Sequence, residues 1–147
     1  MPRDFKTVLC PTDFSDASYH ALEYGLRFAQ SADGLLIVAH VIHVPGGDLL
    51  TGQSFSLNFK EAQDQVLERL REVHTTRLQS YPKCELVPVI GEPAVEITGL
   101  AKTRAADLII MSTHGRSGLS HLVMGSVAEQ ILRHAPCPVF IVRAGVE

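Results

Sequence analysis

Residues 108–131 read LIIMSTHGRSGLSHLVMGSVAEQI and combine an apolar run, a stretch rich in glycine and serine, and the start of a helix. The run Leu108–Met111 is continuously apolar, which is typical of a strand covered on both faces in a parallel sheet. The helix is expected to begin at Ser126, which forms with Glu129 the S-x-x-E pattern of a capping box. Such a strand–loop–helix unit indicates an α/β fold.

The rest of the chain repeats this alternation of short apolar runs and longer helical segments. Strands with right-handed crossover helices between them predict an open, doubly wound, five-stranded parallel sheet of Rossmann-like type, with strand order 3-2-1-4-5 and four helices. The length of 147 residues is that of one domain, residues 1–147, and is too small for a closed eight-stranded barrel. The four other predicted strands are Thr7–Cys10, Leu35–Val41, Leu86–Ile90 and Val139–Val142.

Caps and periodicity place the other three helices. The first is expected to start after the turn at residues 13–16, whose short oxygen-bearing side chains can accept from free N–H groups, and to end near Ser31. The second runs from about Asn58 to Ser80, with an apolar residue every three or four positions. The third starts at Pro93, because proline fits the first helical position, and Gly91 permits the turn before it. Its predicted inward residues are Ala94, Ile97 and Ala101.

Charge and composition exclude several classes of function. The net charge is −3 and no basic run exists, so we expect no nucleic-acid partner. The longest apolar run, Leu35–Ala39, is far shorter than the roughly 20 residues that cross a bilayer, so we expect no membrane partner. The opening residues lack a secretory signal, which predicts a cytoplasmic protein. Cys10, Cys84 and Cys137 are widely spaced and are predicted to be buried free thiols.

The stretch after the fourth strand has the composition of an anion site. Glycine at positions 115 and 125 lets the backbone approach a ligand and adopt φ > 0, so that N–H groups converge on an anion. The following helix N-terminus adds N–H groups and a partial positive charge. Ser126 can accept from a helix N–H while donating to a phosphate, and His114 and Arg116 can add charge-assisted contacts. A turn without any ligand stays open on these grounds, because Gly-Ser turns before helices are common.

The whole sequence resembles the universal stress protein family. Gly115, followed after nine residues by Gly125-Ser126, is similar to the family's nucleotide-binding signature of glycine, two residues, glycine, nine residues, glycine and Ser or Thr. Residues 7–15 resemble its first strand and turn, and residues 135–139 its closing strand. Ser112 stands where the first glycine of the signature is expected, and either weakens phosphate binding or donates a further hydrogen bond.

The resemblance implies a site for ATP, with Mg²⁺ or Mn²⁺ bound through its phosphates. Asp13 would hold the ribose hydroxyls, while Pro11, Thr12 and the backbone of Val41 would border the base. Asp13 also follows the first strand at the switch point of the sheet, where such ligands bind. A helix cap is the alternative role for Asp13. The implied nucleotide site comprises Pro11, Thr12, Asp13, Val41, Met111, Ser112, His114, Gly115, Arg116, Gly125, Ser126 and Val127, with no catalytic residue and no metal site in the protein.

The resemblance also implies a homodimer, formed through the last strand at residues 138–143, and an unpaired apolar edge strand would favour such pairing. Residues 42–57 are rich in Gly, Ser and Thr and are expected to form a solvated loop, with a lid over the site as the alternative. His40 and His43 are three positions apart and lack companion ligands, so no histidine metal site is predicted.

Two classes of function remain. The first is an ATP-holding regulatory or stress-response protein, which Asp13, Gly115 and Gly125-Ser126 favour. The second is a member of the same fold that acts through protein contacts without nucleotide. No G-x-x-x-x-G-K-[ST] string exists, so fast hydrolysis is not expected, and a slow ATPase ranks third.

Overall fold

A computed structural model describes residues 4–43, 52–113 and 124–143, with the side chains of residues 52–57 excepted. Its five parallel strands lie in the order β3-β2-β1-β4-β5. The predicted α/β class, strand order and four helices are therefore confirmed. The elements are β1 (Thr7–Pro11), α1 (Asp16–Ala32), β2 (Leu35–Ile42), α2 (Gly52–Thr76), β3 (Cys84–Ile90), α3 (Pro93–Thr103), β4 (Leu108–Ser112), α4 (Ser126–His134) and β5 (Val139–Val142).

Helices cover both faces of the sheet. Successive residues of β1 point to opposite faces, so Val8 and Cys10 pack with α1 and α2 while Leu9 packs with α3 and α4. Two apolar cores result, one on each side. This arrangement explains the continuously apolar runs, since each central strand residue meets a core whichever way it points.

The edge strands depart from the expectation that all five strands are covered on both faces. Every residue of β3 is only half-buried, and Phe140 on β5 is 38% exposed. These two strands lie at the ends of the sheet, where each has a neighbouring strand on one side only among the described residues. Apolar composition alone therefore did not separate central strands from edge strands.

The bounds of α1 and α3 agree closely with the sequence. Ser15 caps α1 by accepting from the N–H of Ser18, and the helix ends at Ala32, one residue past the prediction. Pro93 opens α3 as predicted, and Gly91 before it has φ 151°, a conformation that favours glycine. The expected inward residues Ala94, Ile97 and Ala101 are buried.

The bounds of α2 differ from the prediction at both ends. Residues 52–57, assigned from sequence to a solvated loop, belong to the helix. None of them is a proline, and extending a helix whose later half is already packed costs little. At the other end, the helix stops at Thr76, before the predicted Ser80, and Gln79 and Ser80 have positive φ, which no residue of a right-handed helix adopts. Residues 44–51, the rest of the proposed lid, lie outside the described residues.

The capping box predicted at the start of α4 is wrong. The helix cap is Gly125, and Ser126 is the first helical residue. The Gly125 carbonyl accepts from the N–H of Glu129, which shifts the helix start by one residue relative to the S-x-x-E pattern.

No helix within the described ranges is long and apolar enough to cross a membrane. The three cysteines are free, as predicted, but only Cys10 is buried. Cys84 and Cys137 are half-buried, so the prediction of burial is wrong for these two.

Candidate functional site

A cleft of about 430 Å³ lies at the carboxyl ends of β1, β2 and β4. In a doubly wound sheet a crevice forms where the chain leaves neighbouring strands in opposite directions, which in this order is between β1 and β4. The predicted site residues that line the cleft are Pro11, Thr12, Asp13, Val41, Met111, Ser112, Gly125, Ser126 and Val127. His114, Gly115 and Arg116 lie outside the described residues.

The turn after β1 is held by hydrogen bonds to Thr12, which is buried. Its N–H donates to the carbonyl of Ala39 at 2.8 Å. Its hydroxyl bonds the hydroxyl of Ser18 at 2.8 Å and accepts from the N–H of Phe14 at 3.0 Å. A turn fixed at this many points presents the next side chain to the cleft in a defined position.

That next side chain is Asp13, which faces the cleft. Its Oδ1 accepts from the N–H of Ser15 at 3.0 Å and from the Ser15 hydroxyl. Since Ser15 itself caps α1, Asp13 is not the helix cap, and the alternative role considered for it from sequence is wrong. The carboxylate braces the turn and contributes a negative charge to the cleft wall.

Phe14 has a left-handed backbone, with φ 64°, although it is bulky and almost fully buried. Such a conformation costs about 1–3 kcal/mol and persists only where surrounding contacts enforce it. The guanidinium of Arg69 lies 3.8 Å from the centre of its ring, and the ring of His40 lies 4.6 Å away. The strained residue thus follows Asp13 directly and is fixed by side chains from α2 and β2.

The start of α4 is tied to the end of β4. The N–H of Gly125 donates to the Thr113 carbonyl at 3.0 Å, and the N–H of Thr113 donates to Val142 on β5. Gly125 has φ −64°, which any residue adopts, so the expected positive φ is wrong at this position. A Cβ built there would lie 3.4 Å from the Thr113 oxygen, an ordinary contact. Glycine here leaves space in the cleft.

The N-cap residue of α4, Gly125, has no side chain that could cap the first turn, and no side chain among the residues that the structure describes takes that role. The predicted acceptor role of the Ser126 hydroxyl is therefore not observed, while the hydroxyl itself is exposed at the cleft. A helix N-terminus with free N–H groups and a partial positive charge is suited to an anion. The cleft thus has a carboxylate beside β1 and a helix N-terminus beside β4.

The cleft also contains residues that sequence reasoning missed. Ile97 and Ile131 reach it from α3 and α4, which only the packing of distant helices could reveal. The sequence contains only a weak indication that His40 belongs to the site, because it is a polar residue inside an apolar run near a strand end. Its Nδ1 lies 2.7 Å from the Thr12 oxygen, whereas His43 lies 3.9 Å from Glu92. The missed lining residues are Ser18, His40, Pro93, Ile97, Thr113, Ala128 and Ile131.

No group of three or more His, Cys, Asp or Glu side chains within the described ranges is arranged to hold a metal ion. Among the described lining residues, the polar groups are instead hydroxyls, one carboxylate, one imidazole and a helix end. Groups of these kinds are able to hydrogen-bond with sugar hydroxyls and anions.

An open, doubly wound α/β sheet with a crevice at its switch point defines the class of small Rossmann-like domains. Within that class, the chain belongs to the universal stress protein family, whose family model matches residues 4–143.

Individual relatives cover most of this chain. A universal stress protein of Methanocaldococcus jannaschii is 32% identical over 95% of this chain and 82% of its own length. A universal stress protein of Thermus aquaticus is 35% identical over 95% of this chain and 99% of its own length. The solved structure of a universal stress protein in complex with cAMP is similar with a TM-score of 0.72 and 25% identity, over 95% of this chain and 98% of that chain.

Proposed function

We propose that this chain binds ATP in the cleft and holds it in a regulatory or stress-response role, without fast turnover. The observation that carries the proposal is the pairing, across one cleft, of Asp13 with the N-terminus of α4, which begins at the N-cap Gly125. The cleft volume of about 430 Å³ lies within the usual range for small-molecule sites, roughly 300–1,000 Å³. A cytoplasmic location is part of the same proposal.

The apolar part of the cleft suits a flat base. Val41 lies near the end of β2 and Met111 near the end of β4, and Pro11 ends β1, which runs between those two strands. Asp13 then accepts hydrogen bonds from the ribose hydroxyls. A similar solved structure holds cAMP, which is also an adenine nucleotide.

The phosphates are proposed to lie at the start of α4. The N–H groups of its first turn and the Ser126 hydroxyl would donate to phosphate oxygens, and Ser112 would border their path. His114, Gly115 and Arg116 are proposed to complete this part of the site. Mg²⁺ or Mn²⁺ would bind through the phosphates, because Mg²⁺ keeps several waters and is commonly held by substrate oxygens.

Slow turnover, or none, is proposed because the cleft lacks the machinery of fast phosphoryl transfer. No lysine lies among its described lining residues, and the sequence has no P-loop string. The negative charge that develops on the transferred phosphoryl group would therefore lack the lysine that P-loop enzymes supply.

Calorimetric titration with ATP and Mg²⁺ tests the proposal. Wild-type protein is expected to bind saturably, and Gly125→Leu to lose at least about tenfold in affinity, because the side chain would fill the cleft space that glycine leaves open. Gly99→Leu is the matched control, since Gly99 on α3 has open space and lies outside the cleft. Folded wild-type protein that shows no saturable binding would favour the nucleotide-independent class instead.

We also propose that the chain forms a homodimer through β5. This strand is at the edge of the sheet, where its outer backbone groups have no neighbouring strand among the described residues. Phe140 on β5 is partly exposed, and its ring lies 5.7 Å from that of Tyr24 and 5.5 Å from that of Phe28. These rings extend the strand edge into an aromatic surface that a second copy would cover.

A further inference from the structure

His40 lies near the carboxyl end of β2 and lines the cleft. Its Nδ1 is 2.7 Å from the carbonyl oxygen of Thr12, which is 28 positions away along the chain. A carbonyl oxygen can only accept, so Nδ1 must carry the hydrogen and donate it. The contact therefore fixes both the ring orientation and the protonation of this nitrogen.

The carbonyl that accepts this bond belongs to the peptide unit joining Thr12 to Asp13. The preceding N–H of Thr12 already donates to Ala39, which extends the β1–β2 pairing by one residue. Beyond this point the two backbones no longer pair, and the side chain of His40 takes the place of the next backbone donor. The orientation of the peptide plane before Asp13 is thus set by His40.

The same imidazole packs against the residue that follows Asp13. Its ring centre lies 4.6 Å from that of Phe14, with 40° between the ring planes. Phe14 is the strained residue with φ 64°, and it is almost fully buried. One side chain therefore contacts the residue before Asp13 by a hydrogen bond and the residue after it by ring packing.

We infer that His40 is a positioning residue for sugar recognition: it holds the backbone on both sides of Asp13, so that the carboxylate meets the ribose hydroxyls. This inference rests on the proposed binding of ATP. It assigns the histidine a role through Asp13 rather than direct contact with the ribose. Loss of His40 should then weaken the part of the affinity that comes from the sugar hydroxyls.

The test compares binding of ATP with that of 2′,3′-dideoxyATP, which lacks those hydroxyls. Wild-type protein is expected to prefer ATP by about tenfold, the value of one good hydrogen bond. In His40→Ala the ATP affinity should fall about tenfold while the dideoxyATP affinity stays within about twofold. His74→Ala is the matched control, because the Nε2 of His74 makes a similar 2.7 Å contact with the Tyr81 carbonyl outside the cleft.

Two variants of similar size distinguish the effect of losing the hydrogen bond to Thr12 from the effect of losing side-chain volume. His40→Asn places an amide N–H where Nδ1 stands and should retain most of the preference for ATP. His40→Gln places its N–H near the Nε2 position and should not. Should His40→Ala fail to fold, this pair carries the same comparison.

Equal losses for both ligands in His40→Ala, or an unchanged preference in His40→Ala and His40→Gln, would overturn the inference. The former would make His40 a general structural support, and the latter would remove it from sugar recognition. Folded wild-type protein that binds neither ligand would instead overturn the proposed function, and this inference with it.

Discussion

Individual cysteines show how burial sets side-chain chemistry in this protein. Cys10 is completely enclosed, and burial, followed by the neighbouring Cys84, raises the pKa of its thiol. Cys84 is half-buried on β3, where burial and then the Glu85 carboxylate raise the pKa of its thiol to about 11. Because the thiolate is the reactive form, both residues should be poor nucleophiles at neutral pH.

The alkylation rate of Cys84 should therefore be low and should rise steeply with pH. At pH 8 we expect iodoacetamide to modify it roughly a hundredfold more slowly than the same residue in urea-unfolded protein, because each pH unit between the two pKa values lowers the thiolate fraction tenfold. The rate should rise about tenfold per pH unit up to about pH 10 and level off only above about pH 11. Site-resolved mass spectrometry measures it, and a rate that levels off near pH 10, as for a thiol of ordinary pKa, would contradict the raised pKa.

At the scale of elements, α1 lies unusually close to β1 at one point. A Cβ built on Gly25 would lie 2.3 Å from the Sγ of Cys10 and 3.3 Å from Leu36. Real side chains do not come so close, so α1 could not keep this distance with any other residue at position 25. Glycine usually destabilises a helix interior, but at this position it permits the close packing of α1 on β1.

Gly25→Ala is expected to lower the free energy of unfolding by about 1–2 kcal/mol, because overpacking outweighs the gain in helix propensity. Adding Cys10→Ala removes the clashing sulfur and should restore most of the loss. Gly99→Ala on α3 is the control: its Cβ meets no atom within 4 Å, so it should stabilise by about 0.5–1 kcal/mol. Urea denaturation measures these three variants and Cys10→Ala alone, and additive effects of Gly25→Ala and Cys10→Ala would contradict the packing explanation.

At the scale of the whole molecule, the uncovered edge of β5 is the feature that bears on assembly. Light scattering during size-exclusion chromatography should give about twice the 16.0 kDa mass of one chain. Phe140→Glu should shift the protein to monomer, because a charge on the paired edge would have to be desolvated. Val95→Glu, at a 61% exposed position on α3, should leave the dimer intact. A monomeric wild type, or a dimer insensitive to Phe140→Glu, would contradict the proposed interface.

Much of the fold could be predicted from the sequence because, in this architecture, the buried residues of each strand and helix recur at regular intervals within a short segment of the chain. The run Leu108–Met111 is apolar at each position, and its neighbours along the chain carry helix patterns, so strands, helices and their order follow from short windows. The same logic put Asp13 and Gly125 at the carboxyl edge, since parallel strands end together there. Both residues line the cleft.

The sequence by itself determined the fold class and the edge of the sheet that carries the cleft, because hydrophobic periodicity records which face of each element is buried. Only the tertiary structure decided how single groups in the cleft are paired. Ser15 rather than Asp13 caps α1, Gly125 rather than Ser126 caps α4, and His40 bonds the Thr12 carbonyl. These choices depend on distances of a few ångströms, often between residues far apart in the chain, which no local pattern encodes.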